Sequence, residues 1–374
     1  MPPTSSLWHD AHLIRCICQF QAGVYQELRG PVASIDRIPR FQYVLASAVH
    51  HAIYRPKEPS YPEWVAFCQI LSPLPSASLL RLLDCRPQLR SHVALYSVIS
   101  GDAALLKKVL QLPCEQTGLH LNNIPMVDVA ATSEHVCILE LLFQLNYSAG
   151  PLAFDMAAGH GHLAAIEFLH ENYPTIRVTE EAMDMAAANG HLEVVKFLHF
   201  HRNEGCTSRA MDAAAQYGYL DIVSFLHKHR NDGCTTYAMD YAAMNGHLEI
   251  VQYLHHHRHE GATINALHWA AEGGHLNVVK FLHEQRNEGC DTKAMDGAAA
   301  HGHLHVVQYL HQHRNEGCSY RGFVAAAANG YVDIVQFLSQ WYATTQSIRL
   351  ALQIATRHGH TDIVHILQNH YLSN

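Results

Sequence analysis

A glycine recurs at an almost constant interval through most of this chain of 374 residues. The step is 28 residues through the middle of the series and 29 at each end. The recurring positions are Gly161, Gly190, Gly218, Gly246, Gly274, Gly302, Gly330 and Gly359. Because a fixed period of a few tens of residues is typical of stacked repeats, we expect a series of near-identical units rather than separate globular domains.

One unit, read from Ala210, predicts two short helices joined by a tight turn. Met211, Ala214 and Ala215 have the spacing of one helix face. Gly218 then supplies a residue that readily adopts the left-handed conformation at a helix end. The second helix has an apolar arc wider than half its circumference, which indicates that each hairpin buries its apolar faces against its neighbours. The residues of this arc are Leu220, Ile222, Val223, Phe225 and Leu226.

The unit from Asn265 to Val279 resembles the ankyrin repeat. It reads NALHWAAEGGHLNVV against the family signature TPLHxAAxxGHxxVV, with Asn265 and Ala266 in place of Thr and Pro. Most other units have the tripeptide AMD where the family has PLH, and the acidic residues of that tripeptide are Asp184, Asp212, Asp240 and Asp296. The resemblance extends over roughly residues 95–370 and implies an all-α, ankyrin-type solenoid of stacked helix–turn–helix repeats.

Two features depart from the usual ankyrin pattern. The period here is 28 residues, whereas the family's usual period is about 33. The second helix is also expected to run about three residues longer, and only the four residues 206–209 separate Gly205 from Ala210. We therefore expect reduced or absent β-hairpin fingers, as in the short-period ankyrin arrays of large protist and giant-virus families. Thr and Ser in the linkers, such as Thr235, are expected to cap the next helix.

The repeat pattern divides the chain into three parts. Residues 1–60 do not fit it and are expected to form an irregular or helical N-terminal region. Residues 61–94 are interpreted as a degenerate repeat or cap, and residues 95–374 as an ankyrin-repeat solenoid of about ten repeats, most regular over 153–342. One early copy has Glu134 in place of the recurring glycine. Terminal repeats are expected to be atypical because their outer faces meet water.

Composition and charge argue against several classes of function. The chain is 48% apolar and 16% charged, with a formal charge of −8 when histidine is neutral, so no basic surface is expected to attract nucleic acid. No run of 18 apolar residues occurs, so no membrane-spanning helix is expected. The N-terminal residues lack a basic start followed by an uninterrupted apolar core, which argues against a secretory signal.

The cysteines favour a reducing compartment. Four of them occupy the same position of different units, at Cys206, Cys234, Cys290 and Cys318. Stacked helices lie about 10 Å apart, whereas a disulfide requires Cα atoms within about 7 Å of each other. We therefore expect small buried thiols and a cytoplasmic protein, with the nucleus equally open.

Histidine is frequent, with 32 residues, and much of it recurs in register. One row opens the second helices, at His191, His247, His275 and His303. A second row follows an aromatic–leucine pair, at His199, His227, His255, His283 and His311, and a third lies two residues further on, at His201, His229, His257 and His313. By resemblance, the first row bonds locally to backbone. The second row is expected at the edge of the apolar arc, where an imidazole covers apolar surface and still donates a hydrogen bond.

The histidines also predict a pH dependence. Protonation of all 32 would change the formal charge from −8 to +24. Buried imidazoles that stay neutral in the folded chain would take up protons on unfolding, so acid would favour the unfolded state. We therefore expect stability to fall as the pH drops through about 6.5.

The aspartates of the AMD tripeptide replace the histidine of the family's TPLH motif, which ties loops together by hydrogen bonds. We expect them to accept hydrogen bonds from loop amides or from a recurring arginine such as Arg202, Arg230 or Arg314.

Neither metal binding nor catalysis is predicted. Copies of one histidine in adjacent units are too far apart to share a zinc ion, and although His255 and His259 are spaced i, i+4, no HExxH pattern occurs. Active sites are unique rather than repeated, and the chain has no Gly-rich phosphate loop, GxSxG motif or paired CxxC. We expect no catalytic residues, no metal site and no cofactor.

A partner-binding surface is carried over from the family by position. In ankyrin repeats the two residues after the AA pair of the first helix and the inter-repeat loop face the concave side. The candidate binding residues here are Asn189, Arg209, Gln216, Tyr217, Tyr237, Met244, Asn245, Trp269, Glu272, Lys293, His301 and Arg321. Tyr, Trp and Arg are the types that most often dominate binding energy. Trp269 stands where the family often has a packing leucine, so it is either a core residue or a surface anchor.

The sequence therefore predicts a non-enzymatic, monomeric scaffold that binds a partner protein on the concave face of the solenoid. Two alternatives stay open. One is an adaptor that recruits a substrate to a ubiquitin ligase through residues 1–90, and the other is a host-directed effector of a parasite or virus. No nucleic-acid or membrane partner is expected.

Overall fold

The computed structural model is helical throughout the part of the chain that it describes. No β-strand occurs there, which confirms for these residues the expected absence of β-hairpin fingers. The described residues are 68, 70–85, 89–112 and 124–373. The predictions for residues 1–60 lie outside this part, as does most of the segment assigned to the ligase-adaptor alternative.

Residues 1–182 form the first of two compact units. From the second described helix onward, helices that are neighbours in the chain pack against each other in pairs. They are α1 (Ser76–Cys85), α2 (Arg90–Ser100), α3 (Ala103–Gln111), α4 (Met126–Thr132), α5 (Val136–Gln144), α6 (Ala153–His160) and α7 (Leu163–Asn172). The boundary predicted between residues 94 and 95 falls inside α2, which runs across it, and this division of the chain stays a prediction.

Residues 183–374 form the second unit, and the helix α8 (Glu180–Ala188) enters it from the first. The remaining helices are α9 (Leu192–His201), α10 (Ser208–Gln216), α11 (Leu220–His229), α12 (Thr236–Met244), α13 (Leu248–His257), α14 (Ile264–Glu272), α15 (Leu276–Gln285), α16 (Thr292–Ala300), α17 (Leu304–His313), α18 (Tyr320–Ala328), α19 (Val332–Trp341), α20 (Thr345–His358) and α21 (Thr361–Ser373). Even-numbered helices are the first helices of the repeats, and odd-numbered helices are the second.

Local sequence sets where the first helices begin. The hydroxyl of Thr235 accepts a hydrogen bond from the backbone N–H of Tyr237 at 3.1 Å, which satisfies one of the free donors at the start of α12. The same cap is formed by Thr207, Thr263, Asp291 and Ser319. The predicted N-caps are therefore confirmed.

Left-handed residues set where the first helices end. Gly218 follows α10 with φ of +88°, a conformation that a side chain disfavours and glycine adopts freely. Glu134, which stands in place of the recurring glycine, also adopts a positive φ of +60°. The turn between the helices of that repeat therefore persists without glycine.

Alanine determines how the first helices pack. Met211, Ala214 and Ala215 are at most 2% exposed, as the sequence predicts. Small side chains let neighbouring helix backbones approach closely, and successive first helices of the second unit pack on one another along their length. Successive second helices touch only marginally. Within this unit the first-helix side is therefore the inner side of the stack.

The apolar arc of the second helices is narrower than the sequence suggests. Ile222, Val223 and Leu226 are buried, but Leu220 and Phe225 are half-exposed. Phe225 lies in a row of rings between adjacent second helices, where its ring contacts an imidazole of the preceding repeat. Because the second helices are splayed, a residue between them stays partly open to water.

Candidate functional site

One stripe of the first helices is not buried by the stack. It consists of the residues at spacing i, i+4 and i+7 of each helix, opposite the buried alanines. We call this stripe the inner face of the second unit. Its members in α10 to α18 are Arg209, Ala213, Gln216, Tyr237, Tyr241, Met244, Asn265, Trp269, Glu272, Lys293, Gly297, Ala300, Arg321, Ala325 and Ala328.

Three aromatic rings stack at the middle of the inner face. The rings of Tyr237 and Tyr241, one helical turn apart in α12, have centroids 5.4 Å apart and planes within 17° of parallel. The ring of Tyr241 lies 5.5 Å from that of Trp269 in α14, with planes 3° apart. We call these three residues the aromatic stack. Offset parallel rings attract each other beyond the effect of burial alone, so each ring helps to hold the others in place.

The aromatic stack is only partly covered by the protein. Tyr237 is 52% exposed, and Met244 beside it in α12 is 39% exposed. Tyr241 and Trp269 are half-exposed. Trp269 is thus neither fully buried nor fully exposed, and its role as a surface anchor stays a prediction.

Basic and small residues border the aromatic stack. Arg209, Lys293 and Arg321 occupy the equivalent position at the start of their helices, and all three are exposed. Lys293 has its Nζ 3.7 Å from a carboxylate oxygen of Asp291. The helices on either side of the stack carry glycine or alanine where α12 and α14 carry a ring. The aromatic stack therefore projects from the middle of the inner face, between first helices that have only small side chains at the equivalent position.

The other predicted binding residues lie at the turn end of the first helices. Tyr217, Asn245 and His301 each follow the last residue of a first helix, and all are exposed, as is Asn189. Asn245 donates from Nδ2 to the carbonyl oxygen of Gln216 at 3.0 Å, so this residue links two repeats. The carboxylate of Glu272 and Nε2 of His301 are 3.8 Å apart. These residues form a polar edge of the inner face, apart from the aromatic stack.

Tyr241 was not among the predicted binding residues, although it is the middle ring of the stack. Two signals in the sequence point to it. It is four residues after Tyr237, and it occupies the same repeat position as Trp269.

Comparison with protein families identifies these repeats. A family model described as ankyrin repeats (3 copies) matches residues 183–266 and 240–321, and one described as ankyrin repeats (many copies) matches residues 154–199. The chain contains ankyrin repeats. No curated protein matches it in sequence. Across the described ranges, no helix combines the length and apolar character needed to cross a bilayer.

A hydrogen-bonded clamp links successive ankyrin repeats. Asp240 accepts from the backbone N–H and the hydroxyl of Thr263, at 2.8 and 2.7 Å. The same pairing joins Asp155 to Thr179, Asp184 to Thr207, Asp212 to Thr235 and Asp296 to Ser319. The expected loop-amide donor is thus confirmed, and a hydroxyl adds to it. Burial raises the pKa of Asp240, an effect that the hydrogen bonds from Thr263 oppose.

The recurring arginines do not bind these aspartates, so that alternative is wrong. Each arginine instead pairs with the acidic residue two positions further on. The pairs are Arg202 with Glu204, Arg230 with Asp232, Arg258 with Glu260, Arg286 with Glu288 and Arg314 with Glu316. The reason is geometric, because a bidentate guanidinium and carboxylate fit this short extended linker.

In the first histidine row, His247 reaches the backbone of the preceding repeat rather than its own. His247 has Nε2 3.1 Å from the carbonyl oxygen of Gln216. His135 and His360 make the same contact with Ile99 and Ala328, at 3.0 and 2.9 Å. For His247 the backbone partner is thus confirmed, but the expectation that it is local is wrong. These imidazoles link the turns of successive repeats.

Two members of the second histidine row, His255 and His283, accept hydrogen bonds where the sequence predicts that the row donates. Nδ1 of His255 lies 3.3 Å from Nη1 of Arg286, and Nδ1 of His283 lies 3.4 Å from Nη1 of Arg314. Because a guanidinium only donates, these imidazoles are neutral. Burial, together with the neighbouring arginine, lowers the pKa of both histidines.

The described residues contain no cluster of potential metal ligands. No three His, Cys, Asp or Glu side chains converge there as ligands, and His255, one of the candidate chelators, faces a guanidinium instead. The thiols of Cys206 and Cys234 are free, and burial raises the pKa of each to about 12, so both stay protonated at neutral pH. A thiol must be deprotonated to act as a nucleophile or metal ligand, which makes these cysteines inert.

Proposed function

We propose that the chain is a non-enzymatic module that binds a partner protein on the inner face of its second unit. Ankyrin repeats are generally protein–protein interaction modules. The observation that carries the proposal is the aromatic stack, which remains partly exposed although three large rings meet in it. Contiguous exposed apolar surface of this kind typically marks an interaction site.

The fold itself does not require these rings. At the position of Tyr241 and Trp269, other repeats have Ala213 and Ala325, and their helices have the same length. The rings are therefore dispensable for forming a repeat, which favours a role in recognition.

Rigid aromatic side chains suit that role. Tyr and Trp offer a large contact area and lose little conformational entropy on binding, and such residues carry most of the energy at protein interfaces. Mutual stacking of Tyr237, Tyr241 and Trp269 reduces that loss further, because the rings are already ordered in the free protein.

Affinity capture with matched variants tests the proposal. The variant Tyr217→Ala plus Tyr237→Ala removes exposed rings from the first-helix side, and we expect it to lose the partners that the wild-type chain retains. Lys196→Ala is one control, because Lys196 lies on the second helix α9 and pairs only with Glu193 in its own helix, at 2.7 Å. Phe200→Ala is the aromatic control, since this ring is 65% exposed and also lies on α9, away from the inner face. Equal retention by all variants would refute the proposal.

A further inference from the structure

The aromatic stack ends abruptly at Trp269. Its ring contacts Tyr241 of the preceding repeat, and the following repeat has Gly297 at the same position. Among the described residues, no other aromatic ring packs against the indole. One face of Trp269 is thus stacked on Tyr241, and the following repeat offers no ring at the equivalent position to cover the other face.

Small residues continue from that face as the floor of a trough. Gly297 and Ala300 in α16, and Ala325 and Ala328 in α18, are half-exposed members of the inner face. We call the space above these four residues, bounded by Trp269, the trough. Glycine inside a helix lowers its stability relative to alanine, and the equivalent positions accept Ala213 or Tyr241. Helix propensity therefore does not explain the glycine, although a Cβ at this position would lie only 3.2 Å from Cβ of Glu272 in the preceding first helix.

The rim of the trough at the start of the helices is basic. Lys293 opens α16, and its side chain is 74% exposed. Arg321 occupies the equivalent position of α18 and is also exposed. The acidic member of the inner face, Glu272, is the last residue of α14 and lies beside Gly297, with its carboxylate 3.8 Å from Nε2 of His301. The trough thus has a positive end and an apolar wall.

We propose that the trough binds an acidic segment of the partner protein that inserts one aromatic side chain against the open face of Trp269. The inserted ring stacks on the indole above Gly297, and flanking Asp or Glu side chains of the segment reach Lys293 and Arg321. This proposal rests on the proposed function and specifies the partner's chemistry. The chain's formal charge of −8 disfavours nucleic acid, which needs a basic groove along several nucleotides.

Selection of random peptides on the immobilised full-length chain tests this. Peptides of about 10 residues suffice, because they span three helices spaced about 10 Å apart. We expect the enriched peptides to combine an aromatic residue with neighbouring acidic residues, and to lose affinity as salt rises. Enrichment of basic peptides, or of peptides without an aromatic residue, would overturn the proposal.

Two substitutions of Gly297 separate the effect of a large side chain in the trough from the effect of replacing glycine itself. Gly297→Tyr fills the trough with the residue that stands at the same position in α12, and we expect it to weaken binding of an enriched peptide by about tenfold or more. Gly297→Ala leaves the trough open and should change affinity less than about twofold. Both variants add a Cβ that would lie 3.2 Å from Cβ of Glu272, so any cost of that contact is shared. Equal affinities for the two variants would overturn the proposal.

Charge reversal completes the test. Lys293→Glu plus Arg321→Glu should shift selection from acidic to basic peptides, and an unchanged preference would overturn the proposal. If enriched peptides ignore Gly297→Tyr but are lost with Tyr217→Ala plus Tyr237→Ala, the proposed function stands and this inference falls. If nothing is enriched on the wild-type chain, both fall. Tight binding of oligothymidylate that depends on Trp269 would assign the trough to nucleic acid instead.

Discussion

Nε2 of His268 accepts a hydrogen bond from the backbone N–H of Asp291 at 3.1 Å. In the preceding repeat the same place is held by Asp240, which accepts from the N–H and hydroxyl of Thr263. Nε2 of His268 also lies 3.1 Å from Oδ1 of Asp291. Burial lowers the pKa of His268 more than the Asp291 carboxylate raises it, which favours the neutral imidazole that accepts from the N–H. Two residues of the clamp have thus changed together: His replaces Asp, and Asp replaces Thr.

Replacing His268 and Asp291 with the Asp–Thr pair of the preceding repeat should show whether the two positions contribute to stability jointly. His268→Asp places a buried carboxylate against that of Asp291, and we expect it to destabilise the fold by roughly 1–3 kcal/mol. Adding Asp291→Thr recreates the pair that joins Asp240 to Thr263 and should recover most of that loss. The midpoint of urea unfolding measures both variants. Additive destabilisation in the double variant would show that the two positions are independent.

Glycine turns should differ in their tolerance of alanine. Gly218 and Gly359 both have strongly positive φ, +88° and +77°. A Cβ on Gly218 would lie 2.7 Å from Cε1 of His247, whereas a Cβ on Gly359 would meet nothing within 4 Å. Gly359→Ala should therefore cost about 1 kcal/mol from backbone strain alone, and Gly218→Ala clearly more. Thermal melts compare the two, and equal losses would mean that the imidazole contact contributes nothing.

Acid should destabilise the second unit through the second histidine row. The folded-state pKa of His255 and His283 is depressed by burial and by Arg286 and Arg314, while the unfolded value is about 6.5. The folded chain thus binds fewer protons, so stability is full above about pH 6.5 and falls below it. A melting temperature that does not change between about pH 7.5 and 5.5 would contradict this.

Variants of His255 and His283 can show whether the pH dependence comes from the second histidine row. Glutamine at His255 and His283 keeps an acceptor for each arginine but cannot be protonated, so the double variant should lose less stability in acid. His256→Gln plus His259→Gln is the control, because both side chains are exposed and should leave the pH dependence unchanged. The carboxylates beside these arginines do not interfere, since the pKa values of Glu288 and Glu316 are lowered. The buried clamp aspartates, such as Asp240, whose pKa is raised, are the same in all variants and cancel in the comparison.

Features that depend on a few neighbouring residues could be predicted from the sequence. The turn at Gly218, the cap at Thr235 and the buried face of Met211 and Ala214 follow from spacing and from backbone preference. The position of the inner face followed from the resemblance, and the structure places its predicted members on exposed or half-exposed surface.

Contacts between repeats could not be predicted, because they depend on how one repeat is shifted against the next. His247 bonds to Gln216, which is 31 residues earlier, although the repeat is 28 residues long. Arg286 reaches His255 with the same separation. The stacking of Tyr241 on Trp269 likewise requires both the register and the close approach of two first helices. A sequence shows the period but not this offset.

Hydrogen exchange of the chain with and without its captured partner tests the central claim most directly. If the inner face binds the partner, protection should appear in α12, α14 and α16, residues 236–244, 264–272 and 292–300, around Tyr241. The intervening second helices α13 and α15 should exchange as they do in the free chain. Protection confined to those second helices would contradict the account.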